Sequence, residues 1–219
     1  MKDLLNLEIA GMNFSIRSEH DRLLHEPDPA YASFLRTERD PFATNVDVSL
    51  IRNTIPDTEK LNKVFESGAS WSIFLQGNDY LLALRPPVHD TKPVWVARFG
   101  KDLSNITIYC GETLLPRRNE GFTLFNPVRY PLDQLLLMYL LSQREGAILH
   151  AAGIAFDAKG YAFLGRSGAG KSTLAKQFTD VPHNEVLSDD RVVVRKSGND
   201  FQMFGTPWPG EAGFAKNKS

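Results

Sequence analysis

The chain has 219 residues, 42% of them apolar and 23% charged, with a net charge of −1. This is ordinary globular composition, long enough for a real core, without the basic excess expected of a protein that lives on nucleic-acid phosphates. The single cysteine, Cys110, excludes an intrachain disulfide; it fits a reducing compartment, and the residue reads as a small buried apolar side chain rather than a nucleophile.

The opening stretch MKDLLNLEIAGMNFSIR is broken by Asp3 and Glu8 and is not expected to be a signal peptide. The longest apolar run, Leu135–Leu141, is too short to span a bilayer. A soluble cytoplasmic protein with no membrane or nucleic-acid partner is therefore expected.

Up to about Pro127 the sequence is short β-like runs between turn residues. Leu5–Ile9 and Met12–Ile16 flank Ala10-Gly11, and Val46–Leu50 alternates apolar and polar. Trp71–Leu75 and Tyr80–Leu84 are joined through Gly77-Asn78-Asp79, a hairpin signal. Val94–Phe99 and Ile106–Cys110 continue the pattern, and His25–Pro41 reads as a loop with a helical turn. His20, His25 and His89 are scattered without metal-ligand spacing.

The character changes near residue 130, which suggests a β-rich portion over 1–128 and a second domain over 129–219. Pro131 and Asp133 mark a helix start. Leu132, Leu135, Leu136, Tyr139 and Leu140 then form an apolar stripe, with Gly146 as a stop. Ala147–His150, Ala152–Phe156 and Tyr161–Leu164 read as strands, with a turn at Asp157–Gly160. A helix is expected over Lys171–Phe178, and strands at Val186–Ser188, Arg191–Arg195 and Phe201–Phe204.

Between strand and helix, Gly165, Arg166, Ser167, Gly168, Ala169, Gly170, Lys171 and Ser172 match G-x-x-x-x-G-K-[ST] in full. Glycines let successive backbone N–H groups turn inward as an anion nest, a lysine reaches the β/γ oxygens, and the following hydroxyl meets Mg²⁺. Residues 165–173, Thr173 included, are the expected nucleotide contacts, with ATP and Mg²⁺ as ligands; the absence of N-K-x-D favours ATP over GTP. Asp189-Asp190 follows an apolar pair and reads as a Walker-B-like strand end. Adjacent strand residues point to opposite faces, so one carboxylate is expected to serve the metal and the other an incoming hydroxyl.

Leu149-His150, Gly165–Ser172 and Leu187-Ser188-Asp189-Asp190 together resemble the HPr kinase/phosphorylase family, over roughly residues 131–211. The resemblance implies an α/β fold: a P-loop domain of the HPr kinase and phosphoenolpyruvate carboxykinase type, carrying the β-rich N-terminal portion. It implies Lys171 as the phosphate lysine, Ser172 as the Mg²⁺ hydroxyl, Asp190 as the proton acceptor and His150 as the active-site histidine. Asp189 is left as a metal carboxylate, and Glu211 falls where the family places a second one. The Glu-x-Arg-Gly type signature around that position is replaced by Thr206-Pro207-Trp208-Pro209-Gly210, which argues against HPr itself as substrate. The expected activity is ATP-dependent phosphorylation of a hydroxyl, on a serine of a peptide or protein or on a small molecule. The alternative is a nucleotide-binding regulatory or scaffold protein without phosphotransfer, favoured by the eight residues that follow Glu211, where relatives continue further. A carboxykinase reaction is disfavoured by the lack of a His/Lys/Asp metal cluster. Family members form oligomers, so a homo-oligomer is compatible with the resemblance.

Overall fold

The computed structural model describes residues 2–18, 23–25, 28–38, 44–52, 54–68, 70–85, 92–103, 105–111, 117–118, 121–124 and 128–219. His20 and His89 lie outside these residues. The chain divides into two compact units. The first comprises Met1–Asn6, Asn13–Pro27 and Thr37–Gln134; the second comprises Leu7–Met12, Asp28–Arg36 and Leu135–Ser219.

Before residue 128 the strands are β1 (Lys2–Ile9), β2 (Met12–Ser18), β3 (Leu23–His25), β4 (Leu35–Arg36), β5 (Thr44–Arg52), β6 (Asn62–Ser67), β7 (Trp71–Gln76), β8 (Asp79–Leu84), β9 (Trp95–Phe99), β10 (Asn105–Cys110), β11 (Arg117–Arg118) and β12 (Gly121–Leu124). A nine-stranded sheet runs in the order β4-β1-β2-β5-β10-β9-β8-β7-β6, and β11-β12-β3 form a three-stranded one. β6 to β10 is an antiparallel meander, while β10 meets β5 in parallel. The hairpin read at Gly77-Asn78-Asp79 is there: Gly77 takes φ 62°, and Gln76 pairs with Asp79. Phe74, Leu81, Ala83 and Val96 form a core cluster, with Ile55 and Leu61 packed on it. A 3₁₀ helix over Pro29–Phe34, capped by the Asp28 side chain, supplies the helical turn expected within His25–Pro41.

Helix α1 (Leu132–Ser142) buries Leu132, Leu136, Leu137, Leu140 and Leu141. Tyr139, placed in the core stripe by its spacing, is exposed. Gly146 does not merely end the helix; it opens a strand.

The remaining elements are β13 (Gly146–Phe156), β14 (Lys159–Leu164), α2 (Lys171–Gln177), β15 (Asn184–Ser188), β16 (Arg191–Ser197) and β17 (Asp200–Phe204). The two short strands expected at Ala147–His150 and Ala152–Phe156 are one eleven-residue strand, β13. It is the spine of a five-stranded sheet, ordered β14-β13-β16-β17 with β15 also paired to β13.

The expected α/β P-loop domain is not what the chain forms. Among the described residues β-strand predominates, with two α-helices and one 3₁₀ helix beside seventeen strands. Every strand pair of the five-stranded sheet is antiparallel. The cause is in the connections. β13 reaches β14 through Asp157 and Ala158, both at positive φ (45° and 59°), and β16 reaches β17 through Gly198 at φ 63° and Asn199. Two-residue turns of this hand join antiparallel neighbours, whereas parallel strands need a long crossover, usually a helix. A parallel sheet also needs helices on both faces.

Candidate active site

The site is built around residues 150–152 of β13. On one edge, Ala151 pairs with Leu164, the last residue of β14. On the other, His150 pairs with Arg191, the first residue of β16. β15 and β16 follow one another along this second edge, with Gly153 opposite Ser188. Asp189 and Asp190 are the break between them, and the ladder is kept by Ala151 N–H donating to the Asp190 carbonyl at 3.0 Å. With neighbouring strands about 5 Å apart, the start of the P-loop and the Asp-Asp turn flank the same point of β13.

They also share a face. Ala152 packs with Val186 and with Ala175 of α2, and Phe163 and Phe178 lie against this cluster. His150 is two residues from Ala152 and so points to the same side. Arg191, directly opposite His150, points there too. His150 and Arg191 therefore stand on the face covered by the helix that leaves the P-loop.

The P-loop residues 165–170 leave β14 and enter α2 at Lys171. Gly168 and Gly170 take φ 79° and 85°, and a Cβ at either would meet nothing within 4 Å. Positive φ at such glycines is the backbone conformation from which an anion-binding nest is built. Lys171 Nζ donates to the carbonyls of Gly165 (2.8 Å) and Arg166 (3.2 Å), folding over its own loop. Ser172 is half-buried in the first turn of α2; Arg166, Ser167, Ala169 and Thr173 are exposed.

The two aspartates, which lie in the bend between β15 and β16, have different partners. Asp190 Oδ1 lies 3.0 Å from His150 Nε2, and Oδ2 lies 2.7 Å from Arg191 Nη1. The buried Ser188 hydroxyl accepts the N–H groups of Asp190 (3.3 Å) and Arg191 (3.2 Å), which fixes the turn. Asp189 is buried, 1% exposed, and turns the other way. Its carboxylate accepts the backbone N–H groups of Gly210 (2.9 Å), Ala212 (2.8 Å) and Phe214 (3.1 Å). The metal role expected of Asp189 gives way to that of a loop anchor, because those oxygens are engaged by the segment Gly210–Phe214. Glu211, within that anchored loop, is exposed. Among the described residues no group of three or more His, Cys, Asp or Glu side chains is placed to hold a metal ion by itself.

Sequence reasoning missed Arg191 and the anchoring of 210–214. Arg191 had a signal, since it directly follows the Asp-Asp pair on an apolar strand. The anchor had none, because its partners lie 21, 23 and 25 residues away.

Cys110, in β10, is fully buried, and burial pushes its thiol up to about 12. That fits the apolar reading. Among the described residues no helix is long and apolar enough to cross a membrane. Compared with protein-family models, curated proteins and solved structures, the chain finds no match.

Proposed function

We propose that the chain is an ATP-dependent phosphotransferase that phosphorylates a hydroxyl, on a serine of a peptide or protein or on a small molecule. The observation that carries this reading is the convergence on β13: a glycine-lysine-serine phosphate loop begins beside the strand residue, His150, whose imidazole meets Asp190. The likeness to HPr kinases is one of sequence motif; the α/β architecture is not part of it.

The N–H groups of 165–173 would hold the phosphates of ATP, and the Ser172 hydroxyl would hold Mg²⁺, which would supply neutralisation of phosphate charge. Lys171 exchanges its own loop carbonyls for phosphate oxygens, where an ammonium interacts far more strongly. The acceptor hydroxyl oxygen forms a bond to the γ-phosphorus as the bond to the bridging oxygen of ADP breaks. Its proton passes to the Asp190 carboxylate, and ADP leaves. His150 orients that carboxylate. Glu211, on a loop tied to Asp189, is the carboxylate that would help hold the metal.

The test is transfer from labelled ATP to candidate acceptors by wild type and by Asp190→Asn. Acceptor-dependent labelling that drops by about 10²–10⁴ in Asp190→Asn, with no loss of ATP affinity, is the expected result, since a positioned base matters in the transition state and little in the ground state. Nucleotide binding without transfer to any hydroxyl would instead make the chain a regulatory or scaffold protein.

A further inference from the structure

The Asp190 carboxylate has two partners, His150 and Arg191. Arg191 is mounted rigidly at its backbone. Its N–H is held by the buried Ser188 hydroxyl, and its carbonyl accepts from the buried Thr206 hydroxyl at 2.6 Å. Opposite it in the ladder stands His150. Its side chain, by contrast, is 40% exposed, and its guanidinium bridges to the neighbouring Asp190 at 2.7 Å. A fixed stem with a partly solvated head, on the face of the helix that leaves the P-loop, is a cation placed to change partners.

We infer that Arg191 is a further catalytic residue of the proposed phosphotransfer, moving from Asp190 Oδ2 onto the terminal phosphate of the nucleotide. The inference rests on the reading above. A guanidinium matches phosphate oxygens with two parallel N–H groups, and its pair with Asp190, 40% exposed on the arginine side and 23% on the carboxylate side, is partly solvated and modest in strength. Its departure opens Asp190 Oδ2, the oxygen then free to take the acceptor's proton. Covalent change is that of the proposed transfer: the new oxygen–phosphorus bond forms, the bond to ADP breaks, and the proton goes to Asp190. Arg191 offsets charge on the phosphoryl oxygens and is itself unchanged. Binding of the terminal phosphate thereby prepares the base.

The experiment titrates the full chain with ATP and with ADP, each with Mg²⁺, by calorimetry. The variants are Arg191→Gln, Arg191→Lys, Asp190→Asn, the double variant, and Lys171→Ala as control. Arg191→Gln is expected to lose about 10–100-fold in ATP affinity, the range for one charge-assisted contact, while ADP affinity stays within about twofold. Arg191→Lys restores little, because an ammonium lacks the two-pronged geometry. Asp190→Asn is expected to tighten ATP by about 1.4–5-fold, the strength of the exposed ion pair no longer to be broken. That gain vanishes in the double variant. Arg191→Gln with unchanged ATP affinity, or with equal losses of ATP and ADP, overturns the inference. If Lys171→Ala still loses ATP in that case, the nucleotide reading stands without it. A wild type that binds neither nucleotide removes both.

Discussion

His150 Nε2 lies 3.0 Å from Asp190 Oδ1, at the junction where β15 gives way to β16 along the edge of β13. The Asp190 backbone is held separately, through the Ala151 N–H and the Ser188 hydroxyl. Loss of the imidazole therefore leaves the carboxylate in place with one orienting contact fewer. His150→Ala is expected to lower phosphotransfer by about 10–100-fold, less than Asp190→Asn. Since the side chain is 47% exposed, the urea midpoint should not move. Single-turnover rates beside a urea curve check both halves.

Asp189 behaves in the opposite way. Three backbone N–H groups end on one buried carboxylate. Asp189→Ala strands them and should cost about 3–5 kcal/mol, as for a broken buried polar network. Gly210→Ala attacks the same contact from the other side, since a Cβ there would lie 2.6 Å from Asp189 Oδ2. Urea unfolding of both variants should show lower midpoints. Unchanged midpoints would deny Asp189 its anchoring role.

Glu211 sits between two of the residues that bind Asp189, and its own side chain is exposed. Glu211→Gln should raise the Mg²⁺ concentration needed for half-maximal ATP binding while leaving metal-free nucleotide binding as it was. A Mg²⁺ titration that does not shift moves Glu211 from site to surface.

Local order was the most legible part of this sequence. The strand before the P-loop and the helix after it are where glycine, lysine and apolar spacing place them, as β14 and α2. Strands β7 to β10 lie where β-like runs and turn residues put them, whereas β6 was not read from the sequence. What failed was the inference from motif to architecture. Gly165–Ser172 carries an association with parallel sheets, but strand direction is set by connections, and those were written at Asp157-Ala158 and Gly198-Asn199 as tight turns. Within the candidate site, motif alone marked His150, Lys171 and Asp190 as expectations, and their side-chain partners came from the fold. Asp189 did not reveal its true partners, because a carboxylate that binds backbone N–H groups needs no particular side chain in the distant segment.

Cys110 offers a check on the first unit's core. Its thiol is raised from 9.0 to about 12 by burial, so the folded state favours the neutral form. The stability this contributes is complete below about pH 9 and is lost between about 9 and about 12, at most about 1.4 kcal/mol per pH unit. At neutral pH a thiol reagent should leave the native protein unlabelled and label it once guanidinium unfolds it. Rapid labelling of the native state would contradict the burial.

The account stands or falls on whether residues 165–173 hold nucleotide phosphates, and calorimetric titration of wild type and Lys171→Ala with ATP and Mg²⁺ measures this. Among the described residues, Lys171 Nζ hydrogen-bonds to the carbonyls of its own loop, so its removal should spare the fold. The account predicts saturable ATP binding by wild type and a loss on the order of 2–4 kcal/mol in Lys171→Ala, about 30–1,000-fold in affinity. Equal affinity in the two proteins, or no binding by wild type, would contradict it.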